Sequence, residues 1–234
     1  VRNPVLRGDL RARMRSRKRL LIEALLLGVL GLLTFLGLPP ELSQIDPSHP
    51  ASLATALLVV EAVLIAYFAS ACTIQEIGLE GEKAAVDLVF APFAPRTIVA
   101  GKSVASLLTI AYWLALGAPL LVLAAGIRQE PLGAAALASA LIAIEAWGVA
   151  QVGMLYGIVL EAEFSRTLAH WATLLFIFAG TLALPAPARW ANPVLGVTRA
   201  AAGAPPLPAG AVFAALGILC DWAACRSLRR FAVA

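Results

Sequence analysis

Six stretches of the chain, 20–38, 53–73, 98–125, 132–160, 167–184 and 209–225, are almost wholly apolar. Each approaches or exceeds the ~20 residues an α-helix needs to cross the hydrocarbon core of a bilayer. Backbone in that core must satisfy its own hydrogen bonds, so such runs fold as helices and not as open sheet. Composition closes off the alternatives. Hydrophobic residues make up 61% of the chain and charged residues 14%, where soluble domains have roughly 45–50% and 25%. There is too little polar side chain to cover a soluble surface and far too much apolar side chain for disorder. The sequence therefore specifies an all-α integral membrane protein, a six-span helical bundle forming a single transmembrane domain over 1–234.

The charges orient this bundle. Arg2, Arg7, Arg11, Arg13, Arg15, Arg17, Lys18 and Arg19 crowd the first 19 positions. A nucleic-acid patch would use such a cluster too, but an apolar run follows at once, as in a cytoplasmic anchor. No small-residue cleavage site closes that run before Pro39-Pro40, so it is expected to stay as a first span and not to be removed as a signal peptide. With the N-terminus inside, the inner segments hold fifteen basic residues and the outer loops only Arg128, Arg189 and Arg199. Both termini are thus expected in the cytoplasm. Arginine outnumbers lysine fifteen to three. With abundant alanine, that points to a GC-rich genome, and Val1 to a GTG start codon, both as in a bacterial inner-membrane protein.

Between the spans, residues 1–19 place Leu6, Leu10 and Met14 at helical spacing among arginines, as in a helix lying in the membrane interface. The loop 39–52 has no Lys or Arg. Residues 74–97 mix Ile77, Val86, Leu88, Val89 and Phe90 with Glu80, Glu82, Lys83 and Asp87, which suits one or two short amphipathic helices outside the bilayer. Pro92 and Pro95 then end the helix. The stretch 185–208, rich in proline and carrying Trp190 and Asn192, is expected as a loop.

Chemistry-bearing residues are few. Glu61 lies centrally in the second span and Glu145 near the middle of the fourth. An acid at that depth faces protein or water. Either it contacts a transported substrate or ion, or it makes a structural hydrogen bond with a Ser, Thr, Tyr or Gln on another span. Asp221 is expected to pair with Arg226, His170 to sit at the interface, and Gly153-x-x-x-Gly157 to allow close helix packing. Cys72, Cys220 and Cys225 lack the spacing of a disulfide framework or zinc site, and His49 has no second ligand, so no metal is expected. Gly101-Lys102-Ser103 imitates the end of a P-loop, but Arg96 stands where the first glycine must be. The chain therefore has no ATP site of its own. No HExxH or GxSxG is present, so no catalytic residues are assigned.

The stretch Glu80-Gly81-Glu82-Lys83-Ala84-Ala85-Val86-Asp87-Leu88-Val89-Phe90, followed by Pro92-Phe93-Ala94-Pro95-Arg96, Ile98 and Gly101-Lys102, resembles permease subunits of type-2 ABC (ATP-binding cassette) transporters. Asn3-Pro4-Val5-Leu6-Arg7-Gly8-Asp9-Leu10 looks like that family's N-terminal elbow, and Asn192-Pro193 fits its pattern before the last span. Ala84-Ala85 stand where the family often has Gly-Thr. The resemblance implies a cytoplasmic ABC ATPase as partner, which binds ATP and Mg, and a second permease, identical or not. It implies alternating access, with export as the prevailing direction. Residues 74–97 would be the coupling segment, with Glu80, Glu82, Lys83, Val86, Asp87, Leu88 and Phe90 facing the ATPase. Glu61 and Glu145 would line the translocation pathway. The competing readings are a membrane scaffold without transport, a carrier that runs without an ATPase, and an intramembrane enzyme.

Overall fold

The computed structural model describes Leu6 and residues 17–37, 53–90, 94–128, 131–189, 191–205 and 207–231. The expected elbow, apart from Leu6 and residues 17–19, and the loop 39–52 with His49 lie outside them. All regular structure among the described residues is helical. In chain order the helices are α1 (Arg17–Gly37), α2 (Leu53–Phe90), α3 (Pro95–Arg128), α4 (Leu132–Val159) and α5 (Glu163–Phe178). After a 3-10 turn (Gly180–Ala183) come α6 (Ala186–Arg189), α7 (Pro193–Ala201) and α8 (Leu207–Phe231).

Five of these helices are long and apolar enough to cross a membrane: α1, α2 over Leu53–Gln75, α3 over Pro95–Ile127, α4, and α8 over Pro208–Arg229. The molecule is a multi-pass helical membrane protein. The expected fifth span, 167–184, is not one continuous helix. Its helix α5 has 16 residues, about 24 Å of rise against a core of ~30 Å. It begins earlier than expected, at Glu163, and ends at Phe178. Gly180 and Pro185 lie just beyond, where the chain tightens into the 3-10 turn and then opens.

The segment after the second span also differs from expectation. No separate short helices form. Helix α2 runs unbroken for 38 residues, about 57 Å, and so outruns its apolar part by roughly 20 Å. Gly78 and Gly81 each cost a helix interior about 1 kcal/mol but leave its hydrogen bonds intact. The first residue that cannot continue it is Pro92, and the helix ends at Phe90. Glu80, Glu82, Lys83, Val86, Asp87, Leu88 and Phe90 all lie on this extension, and their side chains fall outside the described set.

Helix α4 is the hub, packing against α2, α3, α5, α7 and α8. Its middle is buried, with Leu141, Ile142, Ala146, Val149, Ala150 and Met154 all in the core. Two glycines let its neighbours approach backbone to backbone. A Cβ at Gly153 would stand 2.8 Å from the Ser70 carbonyl oxygen on α2, and one at Gly148 2.6 Å from that of Phe213 on α8. Gly153 of the expected GxxxG is thus a close-approach position, and Gly148 is another, toward a different helix.

At one end of the bundle Arg19 pairs with Glu23 and lies over the Tyr112 ring, 4.3 Å from its centroid. Lys18 Nζ donates to Gln75 Oε1 at 3.3 Å. Basic residues that the sequence marks as an interfacial anchor thereby tie α1 to the end of the α2 span and to α3.

Candidate functional site

The two membrane acids occupy matching levels. Helices α2 and α3 run antiparallel, since Thr73 meets Ser106 at 3.2 Å while Glu61 lies against Gly117. The short link from α3 to α4 reverses direction again, so α2 and α4 run the same way, with Ser70 beside Gly153. Glu61 lies nine residues before Ser70 and Glu145 eight before Gly153, which puts each roughly 12–14 Å along its helix from that contact.

Their surroundings differ. Glu61, fully buried at 0% exposure, fills a hollow at Gly117 on α3 beside Leu30 of α1; a Cβ at Gly117 would collide with Glu61 Oε1. Glu145, 3% exposed, sits under α7. Its Oε1 lies 3.1 Å from where a Gly196 Cβ would stand, with Ala209 and Leu141 alongside. The fold places the two acids on neighbouring, packed helices but houses each against a different third element.

Neither carboxyl has a hydrogen-bond partner among the described residues. The structural hydrogen bond entertained for each acid does not occur among the described residues, and nearby hydroxyls are used elsewhere. Ser70 Oγ donates to the Ala66 carbonyl at 2.7 Å, and Thr73 Oγ1 donates to that of Ala69 at 2.7 Å while meeting Ser106. A carboxyl at bilayer depth without a partner is costly.

A second polar constellation joins α3, α4 and α8. Ser103 Oγ donates to Asp221 Oδ2 at 3.1 Å, and Trp147 Nε1 donates to Ser103 Oγ at 3.0 Å. The network also sets the Gln151 amide: its nitrogen donates to Asp221 Oδ1 at 2.9 Å and its oxygen accepts from Trp147 Nε1 at 2.8 Å. The Trp147 indole lies over Gly217 of α8, where any Cβ would strike the ring. In place of the expected pairing with Arg226, the Asp221 carboxylate goes to Ser103 and Gln151, and Arg226 stacks over Trp222 at 5.4 Å. The network was not read from the sequence, although Trp147 and Gln151 stand four apart on one helical face, and a Gln fully buried in a membrane helix needs a partner.

Removing Asp221 should therefore loosen α8. Interhelical hydrogen bonds in membranes average about 0.6 kcal/mol, and a buried amide nitrogen left unpaired adds roughly 1–3 kcal/mol. Asp221→Ala is expected to melt several degrees below wild type in detergent, with Asp221→Asn in between because the shape and one acceptor remain. Identical melting of all three proteins would show that the network contributes nothing to the packing of α8.

His170, expected at the interface, is packed inside the bundle. It is buried against the Tyr67 ring of α2 at 5.7 Å, beside Trp171. The stretch read as a loop holds a polar residue tied to two elements at once. Asn192 is fully buried and caps α7 by accepting from Leu195 N at 3.1 Å. Its amide nitrogen donates to Thr181 Oγ1 at 2.8 Å and to the carbonyls of Phe178 at 3.0 Å and Ile177 at 3.3 Å. Pro193 supplies a preset φ at the first helical position. At the other end Gly203, at φ +78, closes α7 with Gly203 N to Ala200 O at 3.0 Å and Ala204 N to Arg199 O at 2.9 Å, a Schellman ending.

No group of three or more His, Cys, Asp or Glu that could hold a metal ion occurs among the described residues. Against models of known protein families the chain matches none, and no curated protein sequence matches it.

Proposed function

We propose that the chain is the membrane-spanning permease subunit of an ATP-driven transporter of the type-2 ABC class, working as an exporter. The observation that carries this reading is the charged-apolar stretch 80–102, which resembles the family and whose residues 80–90 continue the second span as one helix. A helix that leaves the bilayer without a break is a stiff lever, able to transmit a push at residues 80–90 to the span carrying Glu61. In this reading a cytoplasmic ABC ATPase binds ATP and Mg and grips the extension through Val86 and Phe90, one turn apart on one face, with Glu80, Glu82, Lys83 and Asp87 giving orientation. A second permease completes the pathway. The subunit sits in a bacterial inner membrane with both termini cytoplasmic, and Glu61 and Glu145 belong to the pathway.

Purification from native membranes in nanodiscs, with mass spectrometry of what stays bound, tests this. A stoichiometric ATPase is expected. Val86→Asp together with Phe90→Asp is expected to release it and abolish stimulation of ATP hydrolysis, while membrane insertion is unchanged. A folded wild-type preparation with no ATPase would favour a carrier run by an ion gradient, a reading the two unpartnered acids also suit.

A further inference from the structure

Glu145 and Glu61 differ in what covers them. Glu61 is enclosed by α1 and α3, both full-length spans, so uncovering it means separating the bundle. Glu145 is covered by α7, a helix of 9 residues. Helix α7 buries Pro193, Gly196, Val197 and Ala200 against the bundle and exposes Arg199. It is bounded by a side-chain cap at Asn192 and a left-handed glycine at Gly203, and no helix continues it on either side. Its withdrawal would break the Asn192 bonds to the end of α5 but would break no span. Gly196 is the residue directly over the carboxyl, and only a residue without a Cβ lets α7 close there.

We infer that Glu145 is the recognition carboxyl for a lipophilic organic cation, which enters from the α7 end of the bundle when α7 withdraws. The inference rests on the transport reading for its purpose but not for its geometry. Both carboxyl oxygens are buried and unpartnered, so the site lacks positive charge. The walls of the hollow, Leu141, Ala209 and α7 itself, are apolar, so they favour a charge carried on an apolar body. At this depth a carboxylate and a cation each relieve the other's burial cost.

Equilibrium binding of tritiated tetraphenylphosphonium to the purified protein, in nanodiscs of zwitterionic phosphatidylcholine, tests the inference. Saturable binding is expected, weakened about tenfold or more by Glu145→Gln and unchanged by Glu61→Gln. A second measurement needs no variant: a hydrophobic carbodiimide should label Glu145 in the wild-type protein, read by peptide mass spectrometry, and tetraphenylphosphonium should protect it. Absence of saturable binding, binding indifferent to Glu145→Gln, or labelling that the cation does not suppress would each overturn the proposal. Binding and protection at Glu145 in a protein that recruits no ATPase would sink the ABC reading and leave the site standing. ATPase recruitment without Glu145-dependent binding would do the reverse.

Discussion

Replacing Gly148 with valine is expected to leave little folded protein. The position faces the backbone of α8: a Cβ there would lie 2.6 Å from the Phe213 carbonyl oxygen and 3.2 Å from its carbon. These are backbone atoms of a long helix, so they cannot swing aside like the end of a side chain. Alanine alone forces the two helices apart, at the cost of about 1–3 kcal/mol typical of overpacking. At roughly 2–4 °C of melting temperature per kcal/mol for a chain of this length, Gly148→Ala should melt several degrees low. Valine adds two methyls to the same clash. It also disturbs the neighbouring Trp147, whose ring rests on Gly217 of the same partner helix. Gly153→Ala should behave like Gly148→Ala through the Ser70 backbone at 2.8 Å. Gly126→Ala is the control, because nothing lies within 4 Å of the added carbon. Size-exclusion profiles and thermal melts in one detergent would read all four. Normal melting of Gly148→Val would mean that α4 and α8 do not pack as described.

Helix periodicity and apolar run length made most of the bundle legible. The runs 53–73, 98–125 and 132–160 fall within a few residues of the helical spans, because a membrane helix is specified by one coarse quantity, the length of sequence without charge. What coarse hydropathy could not show is where a run is interrupted from within. The run 167–184 looks continuous, yet Gly180 and Thr181 turn into a 3-10 segment. Thr181 Oγ1 donates back to the Ile177 carbonyl at 2.6 Å and accepts from Asn192. Proline density hid the converse error in 185–208. Asn192, Pro193 and Gly203 are a complete set of helix start and stop signals, but they sit among prolines that taken alone mark a loop. The acids stand out in the sequence, since charge in an apolar run is conspicuous. Their separate surroundings, Gly117 for one and Gly196 for the other, depend on which helices pack together, and that is written in no local pattern.

Asn192→Ala is expected to be the most damaging single change in the segment after α5, although it removes only an amide. The side chain satisfies groups on two elements at once. Its oxygen caps α7, and loss of such a cap costs about 0.5–2 kcal/mol. Its nitrogen serves Thr181 Oγ1 and the carbonyls of Ile177 and Phe178 at the end of α5, where the helix has run out of its own donors. Water cannot replace it, since the residue is fully buried. Unpaired acceptors there cost roughly 1–3 kcal/mol more, for a total of about 2–4 kcal/mol. Asn192→Asp separates the two roles. It keeps the acceptor for Leu195 N but turns an oxygen, not an N–H, toward those carbonyls. If joining α5 to α7 is the main role, the aspartate variant should be as destabilised as the alanine variant or more so. If capping dominates, aspartate should rescue most of the loss. The first outcome is expected, because three of the four bonds run through the nitrogen. It should show in thermal melts and as faster hydrogen exchange confined to 177–201.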